Sequence, residues 1–364
     1  MAVEFEPFEV PGARNYFGKA LPYGLQVKGA DSPDQASPDV DEAAASLRKL
    51  AESGLITELL DQHGAVLIHG VGSPSAETFA TLINAIEEGR GSHPYEQIGL
   101  AGKRTVLAKN VWTANEGSPT TRFYQHNEYS RYTRFPANIH FYGVKRGTEG
   151  GATPIANSAA VFRRVKAEIP ELVEGVRQKR LGMKMVFRAP GNEGSNNGFN
   201  WAGEHSFGQE FQPGDDDATK RAKAEKQIRR LTDDFEWKDD GSLELTQHIP
   251  GLRRHPINDR PVWFNGLVGR HGITRDIGAL DPPYIGRDGM TYLPCVYGDD
   301  SPIPREYLDK LIEAIDKEEI YLTLQDGDLL LVDNFQVSHG RQPWVGDRLV
   351  LVSMWDGARQ IAAY

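Results

Sequence analysis

The sequence predicts a mainly β fold, a barrel or jelly roll with flanking helices and a large helical insert. Three observations predict it. Short runs rich in β-branched and aromatic residues, "ANIHFYGV", "SLELTQHI", "RPVWFNG", "IYLTLQDGDLLLVDNF" and "RLVLVSMW", are each bounded by Gly, Pro, Asp or Asn. The connections between them are long and uneven, unlike the regular alternation of a parallel βαβ sheet. Between "GGATPIAN" and "RPVWFNG", residues 158–258 carry helical stretches, which places an insert inside the β core.

Taken in order, residues 30–55 pass from a Ser/Pro/Asp turn cluster into an Ala-rich segment with acidic residues at its start, the pattern of a capped helix. "GAVLIHGVG" is a short apolar run closed by glycines and reads as a buried strand. "SAETFATLINAIEEGR" is a second amphipathic helix with Ser75 as its cap. From "RTVLAKNVW" onward the strand signal dominates. Inside the insert, "SAAVFRRVKAEIPELVEGVRQ" and "ATKRAKAEKQIRRLTDDFEW" read as helices. Residues 188–208, "RAPGNEGSNNGFNWAGEHSFG", read as a Gly/Asn-rich loop long enough to serve as a lid.

A chain of 364 residues with 39% hydrophobic content can bury a large core, and it is read as a single domain, 1–364. A formal net charge of −10 argues against a nucleic-acid partner, since phosphate binding requires clustered Lys and Arg. No run reaches the length of apolar residues that a membrane span needs, and the N-terminus has no basic start followed by an apolar stretch. A cytoplasmic protein is expected, with a homodimer compatible. The single cysteine, Cys295, excludes an internal disulfide and any Cys-based cluster within one chain, and its apolar neighbours predict a packed core thiol.

Ten histidines are present. His63, His93, His205, His248, His255 and His271 fall in loops or beside turns and are read as solvated. His69 and His140 fall in strands and are read as core histidines with hydrogen bonds. His126 and His339 stand apart. His126 opens the triplet "HNE", which by itself is a weak metal signal. It gains weight from "GDLLLVDNFQVSHGRQPWVGDRLVLVSMW", where a strand and an acidic turn lead to His339, then to Arg348 at the head of another strand.

Two neutral imidazoles and a carboxylate on one face of a metal make the facial triad of non-haem iron(II) oxygenases, which leaves three positions open. A chelating 2-oxo acid and dioxygen can fill them. The remote carboxylate of 2-oxoglutarate then needs its own cation, and the planar fork of an arginine suits it. Arg348 is the candidate. The same donors also suit zinc, so a zinc-dependent hydrolase remains an alternative, as does a ligand-binding β-barrel without catalysis.

"HNE" followed by "GGATPI", the distal "DNFQVSHGR", and "RLVLVSMW" resemble the TauD/TfdA family of Fe(II)/2-oxoglutarate-dependent oxygenases. The glutamate in the triplet is similar to the clavaminate synthase-like branch. The resemblance covers most of residues 60–356. It implies a double-stranded β-helix, with His126, Glu128 and His339 as iron ligands and catalytic centre. It implies Arg348 and Thr153 as the binding pair for the 2-oxoglutarate carboxylate, and Arg122 and Tyr129 as substrate contacts. It also implies that 2-oxoglutarate and O2 are consumed and that succinate and CO2 are released, while an unactivated C–H bond of a small amino acid or derivative is hydroxylated, desaturated or cyclised, as in specialised (secondary) metabolism. The retained carboxylate excludes the halogenase variant. Val352, where sulfonate-binding members carry a second arginine, argues against an alkyl sulfonate.

Overall fold

The computed structural model describes residues 2–29, 38–99, 104–114, 117–191 and 200–364. Its centre is a larger sheet in the order Phe5–Phe8, Tyr23–Val27, Ala65–His69, Leu329–Asp333, Asn138–Lys145, Leu349–Asp356, Val111–Thr113 and Val106–Ala108. All of these neighbours pair antiparallel except Tyr23–Val27 with Ala65–His69. A smaller antiparallel sheet has the order Ile320–Leu322, Thr153–Asn157, Val337–Arg341 and Phe123–His126.

The two sheets share one core. Ile139, Phe141, Leu330, Val332, Val350, Val352 and Met354 of the larger sheet are buried in the same cluster as Ile155, Ile320, Leu322 and Val337 of the smaller. Alternate residues of the larger sheet point the other way. Leu329, Leu331, Val66, Ile68, Tyr142, Leu351 and Trp355 pack against helices Val40–Glu52, Leu55–His63 and Ala76–Gly89. Because both faces are covered, Leu329–Asp333 is apolar at nearly every position, and alternation is absent from its sequence. The outer face of the smaller sheet, through Tyr124 and Ala156, packs against helices Ser158–Glu168, Pro170–Lys179, Leu267–Asp276 and Arg305–Asp316.

Helix ends follow the local chemistry. The Asp39 carboxylate accepts from the N–H groups of Asp41 and Glu42, and the Ser75 hydroxyl accepts from Thr78 N–H. Pro170 divides what reads as one helix into two, since it cannot donate to the preceding turn. The expected insert, 158–258, is only partly helical. It contains Leu181–Phe187, Phe235–Trp237 and Leu243–Ile249, which join Val296–Tyr297 in a separate four-stranded sheet. The middle of the expected lid loop, residues 192–199, lies outside the described residues; the flanking Arg188 and Asn200 form a bridge.

His255 and His271 are buried rather than solvated. His255 sits against Asp333, and His271 Nε2 lies 2.8 Å from Asp309. Cys295 is buried, as its neighbours predict. Among the described residues, no helix is long and apolar enough to cross a membrane.

Candidate metal centre

His126 ends strand Phe123–His126, and His339 is the middle residue of Val337–Arg341. These strands are neighbours, and His339 is the direct antiparallel partner of His126. Directly opposed side chains share a face of the sheet, which brings the ring centroids to 4.4 Å. Phe141, from the larger sheet, backs the His339 ring at 4.9 Å. His339 is almost fully buried, whereas the His126 side chain is 27% exposed, so the vertex opens on the His126 side.

Glu128 reaches the pair by a tight turn after the strand. Its backbone is clamped by Asn334: Glu128 N–H donates to Asn334 Oδ1 at 2.7 Å, and Asn334 Nδ2 donates to Glu128 O at 3.0 Å and Pro136 O at 2.8 Å. Asn127 Nδ2 donates to Asn334 O at 2.8 Å. Tyr129 follows in the left-handed region, φ 54°, a conformation that costs a non-glycine residue energy and is held here by its surroundings. Glu128 Oε2 lies 3.7 Å from His126 Nε2 and 3.4 Å from His339 Nε2, and donor atoms of the three residues lie within 4.8 Å of one another.

These residues fit a divalent metal. The 2.9 Å contact of His126 Nδ1 with Tyr124 O makes that nitrogen the proton carrier, and the Nε2 lone pair is left facing the carboxylate. A lone pair and a carboxylate oxygen pointed at each other beyond hydrogen-bond reach repel unless a cation lies between them. Burial, then the neighbouring His126, pushes His339 down to about 4, so its imidazole is neutral and competent to ligate near pH 7. Burial works to raise the Glu128 carboxyl, but the Arg104 guanidinium outweighs it and holds the group well below the usual carboxylate range.

Arg348 and Thr153 also come together. Arg348 Nη2 donates to Thr153 Oγ1 at 3.2 Å and Nε donates to Gly151 O at 2.9 Å. Both glycines of the "GG" pair have positive φ. A side chain on Gly151 would strike Arg348 Cδ, and one on Gly150 would strike the Pro343 carbonyl. The pair is thus explained by close approach to Arg348 and Pro343. Burial pushes the Arg348 guanidinium down to about 10, and no carboxylate among the described residues offsets it. Arg341 stacks on Phe123 and Trp344 and donates to Ser118 O and Thr121 O, which braces the loop before the first ligand strand.

The remaining two candidates stand differently. Tyr129 is buried beside Glu128, with Tyr95 and Tyr132 packed on it at 5.2 and 4.8 Å. Arg122 is committed to acids: it donates to Asp316 at 2.5 and 3.2 Å and to Glu319 at 2.9 Å, and lies over the Tyr124 ring. Three further residues were not singled out in the sequence. Arg104 donates to Glu128 Oε1 at 2.8 Å, and Asn334 clamps the triplet. Arg270 is buried beside Arg131 without a carboxylate partner among the described residues, one residue from Gly269, where any side chain would touch His126 Cβ. "DN" before "FQVSH" was a signal for Asn334; nothing local marks the two arginines.

The model of the family described as taurine catabolism dioxygenase TauD, TfdA family, matches residues 29–355. A dapdiamide synthesis protein, DdaC, from Enterobacter agglomerans is 28% identical over 336 residues, covering 92% of this chain and 94% of that protein. A clavaminate synthase-like protein from Arabidopsis thaliana is 28% identical over 346 residues, covering 95% and 96%. Among solved structures, asparagine oxygenase in complex with Fe(II), 3-hydroxyasparagine and succinate aligns with TM-score 0.46 and 14% identity over 89% of this chain and 86% of that one. AAD-2 in complex with Mn(II) and N-oxalylglycine aligns with TM-score 0.47 and 12% identity over 100% of both chains. The family match spans nearly the whole described core, both ligand strands included: this chain belongs to the TauD/TfdA family and is a dioxygenase that uses iron(II) and 2-oxoglutarate.

Proposed function

We propose that this enzyme oxidises an unactivated C–H bond of a small amino acid or derivative, with hydroxylation as the default outcome. One O2 and one 2-oxoglutarate are consumed, one oxygen atom enters the substrate, and succinate, which takes the other, leaves with CO2. His126, Glu128 and His339 would hold iron(II), which supplies dioxygen activation coupled to decarboxylation of the 2-oxo acid. The observation that carries this reading is the convergence of these three donors within 4.8 Å, around the His339 strand, which lies between the strand that ends at His126 and the one that begins with Thr153.

The protein's own share is placement. Arg348 and Thr153 would take the distal carboxylate of 2-oxoglutarate, one as a buried fork and the other as a hydroxyl donor. Tyr129, with Tyr95 and Tyr132, walls the Glu128 side and keeps water from it. For the substrate carboxylate we favour Arg270 over Arg122. Arg122 would have to leave two acids, whereas Arg270 Nε has no partner among the described residues and Arg131 repels it, so an anion there relieves strain already present. The two-layer core is taken as a double-stranded β-helix. The relative named for dapdiamide synthesis supports a place in specialised metabolism.

Zinc would fit the same donors, but a hydrolase leaves buried, acid-free Arg348 without a task. Anaerobic addition of Fe(II) and 2-oxoglutarate is the test. Wild type should develop a weak visible charge-transfer band, and His126→Ala and Arg348→Ala should lose it. Equal zinc binding with no band in wild type would overturn the oxygenase reading.

A further inference from the structure

Glutamate is one methylene longer than aspartate, and its terminal torsion is broad and soft. A carboxylate can grip a metal with one oxygen or with two. With a facial triad the difference is chemical, because a second oxygen would fill one of the three positions that a 2-oxo acid and dioxygen require. Something must therefore restrain the Glu128 carboxylate.

The structure shows how its two oxygens are divided. Oε2 faces the imidazoles, 3.7 Å from His126 Nε2 and 3.4 Å from His339 Nε2. Oε1 is turned away and accepts from Arg104 Nη2 at 2.8 Å. Arg104 is itself fixed. Its Nη1 rests 3.2 Å from Met354 Sδ in the larger sheet, and its side chain is only 11% exposed. With the Glu128 backbone clamped by Asn334 from one side and Oε1 held from the other, rotation that would present both oxygens to the vertex requires breaking a buried, charge-assisted hydrogen bond.

Resting on the oxygenase reading above, we propose that Arg104 is a positioning residue that confines Glu128 to coordination through Oε2, which keeps three metal positions open. A cation beside a metal ligand lowers the metal affinity of the site, so the arrangement gives up affinity for vacancy. That sign separates the proposal from a plain structural role. Loss of a structural arginine would weaken metal and 2-oxoglutarate binding together. Loss of a restraint would leave metal binding intact or tighter and weaken 2-oxoglutarate alone.

The experiment uses apo-protein loaded with Co(II), whose visible bands report coordination number, followed by titration with 2-oxoglutarate. Arg104→Met should bind Co(II) at least as tightly as wild type, show altered Co(II) bands before any 2-oxoglutarate is added, and bind 2-oxoglutarate about tenfold more weakly or worse. Arg104→Lys, which keeps the cation and one donor, should recover most of the wild-type affinity and spectrum. Parallel loss of Co(II) and 2-oxoglutarate binding in Arg104→Met, or no change in either, overturns the proposal. If Arg104→Met does not fold, Arg104→Lys decides by the same criterion, unchanged Co(II) affinity with a smaller loss for 2-oxoglutarate. Failure of wild type to bind 2-oxoglutarate at Co(II) would bring down the oxygenase reading itself, a result distinct from either variant outcome.

Discussion

His339 stands directly opposite His126 across two antiparallel strands, so the metal vertex is a product of sheet register. A slip of one residue would turn one imidazole to the opposite face. Register is secured by apolar packing beside the vertex, where Ile155, the direct partner of His339 on its other side, and Val337, two residues before it, are buried in the shared core. Replacing either imidazole by alanine should therefore leave the fold in place while lowering iron(II) affinity on the order of 100-fold or more, beyond the usual effect of outer-shell changes. Isothermal titration with Fe(II) under anaerobic conditions, beside circular dichroism, checks this. Undiminished iron binding by His339→Ala would remove it from the ligand set.

Arg348 and Thr153 should separate in magnitude. Removing a buried guanidinium that meets a carboxylate costs about 2–5 kcal/mol, so Arg348→Ala should weaken 2-oxoglutarate about 30-fold or more. Thr153→Val removes one neutral hydroxyl contact, about 1 kcal/mol, or roughly fivefold. Titration of the metal-loaded protein with 2-oxoglutarate gives both numbers. Equal effects would mean that Thr153 acts by positioning Arg348 and has no separate contact.

Asn334 is fully buried and spends its whole amide on the backbone of Glu128 and Pro136. Asn334→Ala leaves a donor and two acceptors unmatched in the interior, and a stability loss of about 2–4 kcal/mol is expected. Iron affinity should fall about 10- to 100-fold as the triplet loosens. Chemical denaturation with and without Fe(II) measures both, and an unchanged iron affinity would show that the turn holds Glu128 unaided.

The triad was legible because "HNE" and "DNFQVSHGR" carry donor types whose combination has a chemical meaning at any distance along the chain. Strands such as Asn138–Lys145 were legible from β-branched and aromatic content. Leu267–Asp276 was not: "LVGRHGITRD" holds two glycines and β-branched residues, and it is helical because its buried face packs on Tyr124. Gly272 is there because Tyr124 occupies the space a side chain would need. Arg122 illustrates the opposite limit. Its place four residues before His126 suggested a clamp, but sequence cannot reveal that Asp316 and Glu319 arrive from a helix end and the turn after it to take its charge.

Glu87 is buried between Arg90, at 2.6 Å, and His140, at 3.0 Å. Burial would raise its carboxyl, but Arg90 first and His140 next bring it down from 4.5 to about 2, which corresponds to roughly 3 kcal/mol. A lowered folded-state value means the contribution is complete above the unfolded pKa and is lost as pH falls from 4.5 towards 2. Glu87→Gln should be less stable near pH 7 by about 3 kcal/mol, with the gap to wild type closing as pH falls through that window. Urea denaturation at pH 7, 5 and 3 tests this, and a gap that stays constant would refute the assignment.

Arg270 offers the opposite sign. Burial and the repulsion of Arg131 depress its guanidinium to about 10, and its hydrogen-bond partner is a distant one, Lys184 O at 3.4 Å. Two like charges near one helix start, Gly266 lying against Arg131, are unfavourable in the ligand-free protein. Arg270→Gln should therefore stabilise the ligand-free enzyme by about 1 kcal/mol, a rise of a few degrees in Tm. A site kept for an anion sacrifices stability in this way, and a structural arginine does not. The same variant should leave 2-oxoglutarate affinity unchanged, because that carboxylate is assigned to Arg348. A fall in Tm with Arg270→Gln would mark Arg270 as structural and return the substrate carboxylate to another cation.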